Sequence, residues 1–133
     1  MILNYCDGSL HQGSTKSTYR YKDAELYFRG ADIVRSHFKW LTDNYALISA
    51  EKVLLTGSSA GGVATFLWSN YVSSLLINPL GFSAVVDSGV FMNVPSPDSG
   101  IPKLDIHMQT LSKIANVDEK TPIPACNRFK AGE

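Results

Sequence analysis

Val53-Leu54-Leu55-Thr56-Gly57-Ser58-Ser59-Ala60-Gly61-Gly62 is the stretch on which the fold turns. Residues 53–55 are a brief apolar run, entered from Glu51-Lys52 and ended by Gly57, as suits a central strand covered on both faces. Directly after it, Gly57-Ser58-Ser59-Ala60-Gly61 fits G-x-S-x-G, and an apolar segment of helical length follows. The stretch therefore reads as strand, sharp turn, helix.

The same order extends outward in both directions. Residues 2–5 are short and apolar, and Asp7-Gly8-Ser9 turns the chain after them, so they read as a buried strand. From Gly30, Val34, Phe38, Leu41 and Tyr45 recur at the period of one helix face, with Arg35, Lys39 and Asp43 elsewhere. Residues 60–77 are apolar almost all round, which predicts a helix buried in a core, stopped by Asn78-Pro79-Leu80-Gly81. Residues 82–86 read as a third strand, ended by Asp87-Ser88-Gly89. A proline-rich loop over residues 93–102 leads to a final helix over residues 104–115. Alternating strands and helices predict an α/β fold, a parallel sheet with right-handed crossovers and helices on both faces. In such a sheet the working loops lie at the carboxyl ends of the strands, here residues 6–14, 57–61 and 87–99.

Composition narrows the function classes. Twelve Lys plus Arg balance twelve Asp plus Glu in 133 residues, so nothing favours a polyanion and nucleic acid is not an expected partner. The length suits one domain, below the roughly 200–250 residues of the larger single-domain enzymes. No charge occurs between Lys52 and Asp87, yet glycines, serines, asparagines and Pro79 break that stretch, so no membrane span is expected. The first residues lack the basic leader and cleavage site of a signal peptide. Cys6 and Cys126, 120 positions apart, have neither zinc-ligand nor small-scaffold spacing; one bridge and two free thiols both remain open.

Ser59 is the candidate nucleophile. A tight strand-to-helix turn exposes such a serine, and the flanking glycines remove Cβ atoms that would strike strand and helix. The backbone N–H of Ala60, at the helix start, is the candidate oxyanion donor. Gly62 lets that helix pack closely. A phosphate cradle fits worse: no Lys-Ser/Thr pair follows, and glycines 57, 61 and 62 do not give G-x-G-x-x-G. His107 is the one histidine after Ser59 and, with Asp87, makes an in-chain triad formally available; Asp98 and Asp105 also follow. Against it, His107 falls within a helix, where an exposed histidine is the ordinary reading. His37 is expected on its helix surface, and His11, in a carboxyl-end loop, borders the expected pocket.

Four motifs carry a resemblance to a family. Tyr5-Cys6-Asp7-Gly8-Ser9 with Gly13, Phe28-Arg29-Gly30-Ala31 at a helix start, Gly57-Ser58-Ser59-Ala60-Gly61-Gly62, and Asp87-Ser88-Gly89 with Phe91 occur in order over about residues 2–100. Together they resemble the pectin acetylesterases and the related carboxylesterase Notum, of the α/β-hydrolase group. The resemblance implies a serine carboxylesterase without metal or organic cofactor, Ser59 its nucleophile and Ala60 N–H one oxyanion donor, acting on O-acyl, chiefly O-acetyl, esters, with a pectin-like glycan, another acetylated glycan and a lipidated protein all open as substrate. It also implies secretion and disulfides at Cys6 and Cys126. The family's glycine-rich oxyanion segment and its triad Asp and His fall outside residues 1–133, so the resemblance makes this chain a single partial α/β-hydrolase domain, the middle portion. Asp87 matches a family position that is not the triad acid. Val90 stands for a usual aromatic, and Leu10-His11-Gln12 for a more typical Ser-Phe-Thr; both bear on pocket walls. A reading from another class is a short protein that keeps this core as a binding or interaction module without catalysis.

Overall fold

The computed structural model describes residues 1–117. Its elements are a hairpin of β1 (Tyr19–Tyr21) and β2 (Ala24–Leu26), then α1 (Gly30–Tyr45), β3 (Val53–Ser58), α2 (Ala60–Ser74), β4 (Phe82–Asp87) and α3 (Lys103–Ile114). Strands β3 and β4 pair in parallel, with Val53 opposite Phe82 and Ser58 opposite Asp87, and α2 is the crossover between them. The chain is thus α/β with a small parallel sheet, as the alternation predicts.

The core lies on one face of that sheet. Ala31, Val34 and Phe38 of α1 interlock with Trp68 and Val72 of α2, and Leu55 and Phe82 pack against them from the sheet. Paired residues of a parallel ladder point to the same side, so Leu54, Thr56 and Val85 share the opposite face. There Leu54 is 63% exposed and Val85 52% exposed. The expectation of helices on both faces, and of a strand covered twice over, therefore does not hold for the described residues: α1 and α2 meet over the same side. Likewise α2 is not buried all round. Gly62, Thr65, Trp68 and Val72 are buried along one stripe, while Phe66 on the far side is exposed.

Residues 2–5 are a second correction. They form no strand and Ile2 is 85% exposed, because a strand needs a ladder partner and β3 is hydrogen-bonded only to β4 among the described residues. The hairpin β1–β2 was not legible from apolar periodicity, since every one of its residues is exposed; its signal is the two-residue turn Lys22-Asp23, with Lys22 at φ 54°. In α1 the expected stripe holds through Phe38 and weakens to the half-buried Leu41 and exposed Tyr45, where Ala46 in the left-handed region ends the helix. Cys6 is exposed; Cys126 and the pairing implied for it lie outside the described residues. None of the described helices is long and apolar enough to cross a membrane.

Candidate active site

Ser59 sits between the last residue of β3 and the first of α2 with φ 54° and ψ −117°. Positive φ outside the left-handed well is costly for any residue with a Cβ, so the turn is held from elsewhere. Two backbone bonds hold it: Ser59 N–H donates to the Asp87 carbonyl at 3.0 Å, and Val63 N–H donates to the Ser59 carbonyl at 3.0 Å. Ser59 is exposed and opens onto a cavity of about 930 Å³, which Ala60 and Gly61 also line. As the first residue of α2, Ala60 contributes one of the N–H groups that a helix start leaves without an intrahelical acceptor.

The glycines of the turn do different work. A Cβ on Gly57 would come within 2.5 Å of the Gly61 carbonyl carbon, so the entry and exit of the turn can close only without a side chain at 57. A Cβ on Gly62 would lie 2.5 Å from the Asp87 carbonyl oxygen and 2.8 Å from the Gly89 Cα. At Gly61, contrary to the sequence expectation, a Cβ would meet nothing within 4 Å. The close approach thus joins the start of α2 to the segment Asp87-Ser88-Gly89, and two of the four motifs are one packing unit.

The other two motifs are a second unit. The Asp7 carboxylate accepts the Gly30 N–H at 2.5 Å, the Ser9 hydroxyl at 2.5 Å and the Ser9 N–H at 3.2 Å. A carboxylate at the first N–H groups of α1 satisfies an orphan donor and complements the helix dipole. Ser9, 1% exposed, accepts the Gly13 N–H on its hydroxyl, and the Gly13 carbonyl accepts from Ala31. Asp7 read in sequence only as a turn residue; its reach of 23 positions to Gly30 has no local signal.

Asp87 is exposed, and hydrogen bonds from the Ser58 hydroxyl first and the Ser88 hydroxyl second hold its carboxyl below the usual value. His107 is exposed on α3, the surface place expected of it. Among the described residues no hydrogen bond joins Ser59, the Asp87 carboxylate and His107, so the formally available in-chain triad is not assembled. His11 is 6% exposed, has its ring centroid 4.9 Å from that of Tyr5, and borders the cavity that Ser59 opens onto. Its carbonyl accepts the Trp68 indole N–H at 3.2 Å, tying the first loop to α2. Burial lowers its pKa, with Asp7 acting in the opposite sense. His37 is half-buried and also lines the cavity, rather than standing clear on the helix surface.

The family model described as pectinacetylesterase matches residues 1–132. The chain belongs to the pectinacetylesterase family. Among curated relatives, it is 31% identical over 95 residues to pectin acetylesterase 5 of Arabidopsis thaliana and 29% identical over 94 residues to pectin acetylesterase 4 of the same plant. Each match takes in 71% of this chain and 22% of the relative, so the chain spans about a fifth of the length of these pectin acetylesterases.

Proposed function

We propose that this chain carries the nucleophile elbow of a secreted serine carboxylesterase of the pectin acetylesterase and Notum type, with an α/β-hydrolase sheet, acting on O-acetyl esters of a pectin-like glycan. The observation that supports this most is the backbone of Ser59: a serine at φ 54°, exposed at the end of β3 and lining a cavity. Strain of this kind persists where it serves a function, and here it lifts a hydroxyl clear of the sheet. In the reaction, Ser59 Oγ attacks the acetyl carbonyl carbon and its proton passes to a base. The oxyanion that forms is met by the Ala60 N–H at the positive end of α2. Expulsion of the sugar alkoxide, which takes up a proton, leaves acetyl-Ser59, and water then releases acetate and restores the serine.

In this reading the base, its orienting acid and further oxyanion donors come from polypeptide outside residues 1–133. The test is hydrolysis of acetylated pectin and nitrophenyl acetate by the full-length protein and its Ser59→Ala variant, with fluorophosphonate labelling of each. Loss of labelling and of both activities by at least about 10³-fold in the variant is the expected result. Residues 1–133 alone should be weak or inactive, because removal of one oxyanion donor costs about 10²–10³-fold and loss of the base removes the action of the triad as a unit. Full-length activity that survives Ser59→Ala sinks the assignment.

A further inference from the structure

Residues 16–29 hold four Lys and Arg against two Asp and Glu, in a chain whose charges balance. All six are exposed. The two salt bridges among the described residues, Asp32–Arg35 and Lys39–Asp43, lie on α1, so Lys16, Arg20, Lys22 and Arg29 enter neither. The hairpin of β1 and β2 that these residues surround has no buried residue, and a two-stranded hairpin is marginal in water by itself. It is held at its base instead. Thr15 N–H donates to the Phe28 carbonyl at 2.8 Å, a Cβ on Gly13 would lie 2.8 Å from that carbonyl, and one on Gly30 would lie 2.7 Å from the His11 Cα. The hairpin is thereby rooted in the loop that brings His11 to the cavity lined by Ser59.

The two faces of the hairpin differ. Register places Arg20 opposite Glu25, and strand alternation puts both on the side away from Tyr19, Tyr21 and Leu26. Tyr27 joins the Arg20 face, since its hydroxyl donates to Glu25 Oε2 at 3.2 Å. The Arg29 guanidinium stands over the Tyr27 ring, 5.6 Å from its centroid, and donates to the Lys16 carbonyl at 3.2 Å. Tyr27 is still 52% exposed. On the other face Tyr19 packs edge-on against Phe28, whereas no such packing engages the two arginines and the open ring.

We propose that this face is a subsite for an acidic glycan, whose uronate carboxylates pair with Arg20 and Arg29 while the apolar face of a sugar ring lies on Tyr27. It rests on the reading of the substrate as pectin-like, a polymer of galacturonate that presents a carboxylate on each unesterified unit. Charge complementarity selects that occupant over a neutral glycan, and the guanidinium fork matches a carboxylate with two parallel N–H···O bonds. A polymer that offers one acetyl group to Ser59 must extend past the cavity. A hairpin rooted in the cavity's own loop is placed to hold a neighbouring length of it. Single exposed ion pairs are weak, so affinity comes from several contacts along the polymer and falls with salt.

The test reads binding without turnover: the full-length Ser59→Ala protein is titrated with a de-esterified oligogalacturonate at one low salt concentration, by calorimetry. Adding Arg20→Gln and Tyr27→Ala together should weaken binding at least about tenfold. Lys22→Asn removes one charge likewise, but from the face of Tyr21, over whose ring the Lys22 ammonium lies, and at a φ of 54° that asparagine tolerates. It should weaken binding less than about twofold. Arg29→Lys keeps the charge and loses the fork, so it too should weaken binding, by about threefold or more. Absence of binding before these changes, no loss in the Arg20, Tyr27 double variant, or an equal loss with Lys22→Asn overturns the proposal. So does a single-stranded oligonucleotide of matched charge that binds as tightly as the oligogalacturonate. Hydrolysis that survives Ser59→Ala would sink the nucleophile assignment and leave these affinities as they are, so the two readings fail separately.

Discussion

Replacing Ser59 by glycine should make the protein more stable than replacing it by alanine, although both remove the hydroxyl. Neither change touches the two backbone bonds of the turn, Ser59 N–H to Asp87 and Val63 N–H to Ser59. The hydroxyl itself is exposed and has no side-chain partner among the described residues, so Ser59→Ala should fall within about 0.5 kcal/mol of the parent. Alanine keeps the Cβ that makes φ 54°, ψ −117° unfavourable; glycine removes it. Relief of such a conformation is worth about 1–3 kcal/mol, and the extra freedom of unfolded glycine takes back about 0.4–1 kcal/mol. Central values leave about 1.3 kcal/mol in favour of glycine, within limits of about 0 and about 2.6 kcal/mol. With a urea slope of about 2 kcal/mol per molar, the unfolding midpoint of Ser59→Gly should exceed that of Ser59→Ala by about 0.5–1 M. The assay is urea unfolding of the full-length variants at one protein concentration and pH. A midpoint for glycine at or below that for alanine would show that the turn is relaxed, and the argument from stored strain would fail.

Gly62→Ala should destabilise by about 2–4 kcal/mol, since its Cβ meets the backbone of Asp87 and Gly89 and not a side chain that can swing away, whereas Gly61→Ala should be neutral or stabilising; equal melting temperatures for the two would contradict the contact geometry. Asp7→Ala should cost about 2–3 kcal/mol by leaving the Gly30 N–H and the buried Ser9 hydroxyl unpaired, with faster hydrogen exchange at the start of α1; an unchanged exchange rate there would dismiss the capping role. Burial lowers the pKa of His11, so the unfolded chain binds the proton more readily than the folded one. That contribution is intact above the unfolded value near 6.5 and is lost as pH falls below it toward the folded pKa, while the opposing charge of Asp7 limits its size. His11→Asn, which keeps a residue tolerant of φ 59°, should flatten the decline in stability between pH 7.5 and 5, and parallel pH profiles would refute the assignment.

What the sequence determined by itself is local. Each element follows from the asymmetry between water and core along a few turns or a few pleats: the stripe of Val34 and Phe38 marks the inner face of α1, the apolar runs after Lys52 and Gly81 mark β3 and β4, and Gly57 to Gly62 marks the turn that displays Ser59. The helix over residues 104–115 is met by α3 at Lys103–Ile114 for the same reason. What only the tertiary structure decided is which distant pieces meet. Asp7 reaches Gly30, the His11 carbonyl takes the Trp68 indole, and Gly62 lies against Asp87 and Gly89; no period of two or 3.6 residues encodes separations of 23, 57 or 25 positions. Periodicity also says that a segment is apolar without saying what covers it. Residues 2–5 and 53–55 read alike as buried strands, yet one is without a ladder and the other is open on one face, because burial belongs to the partner a segment finds and not to the segment alone.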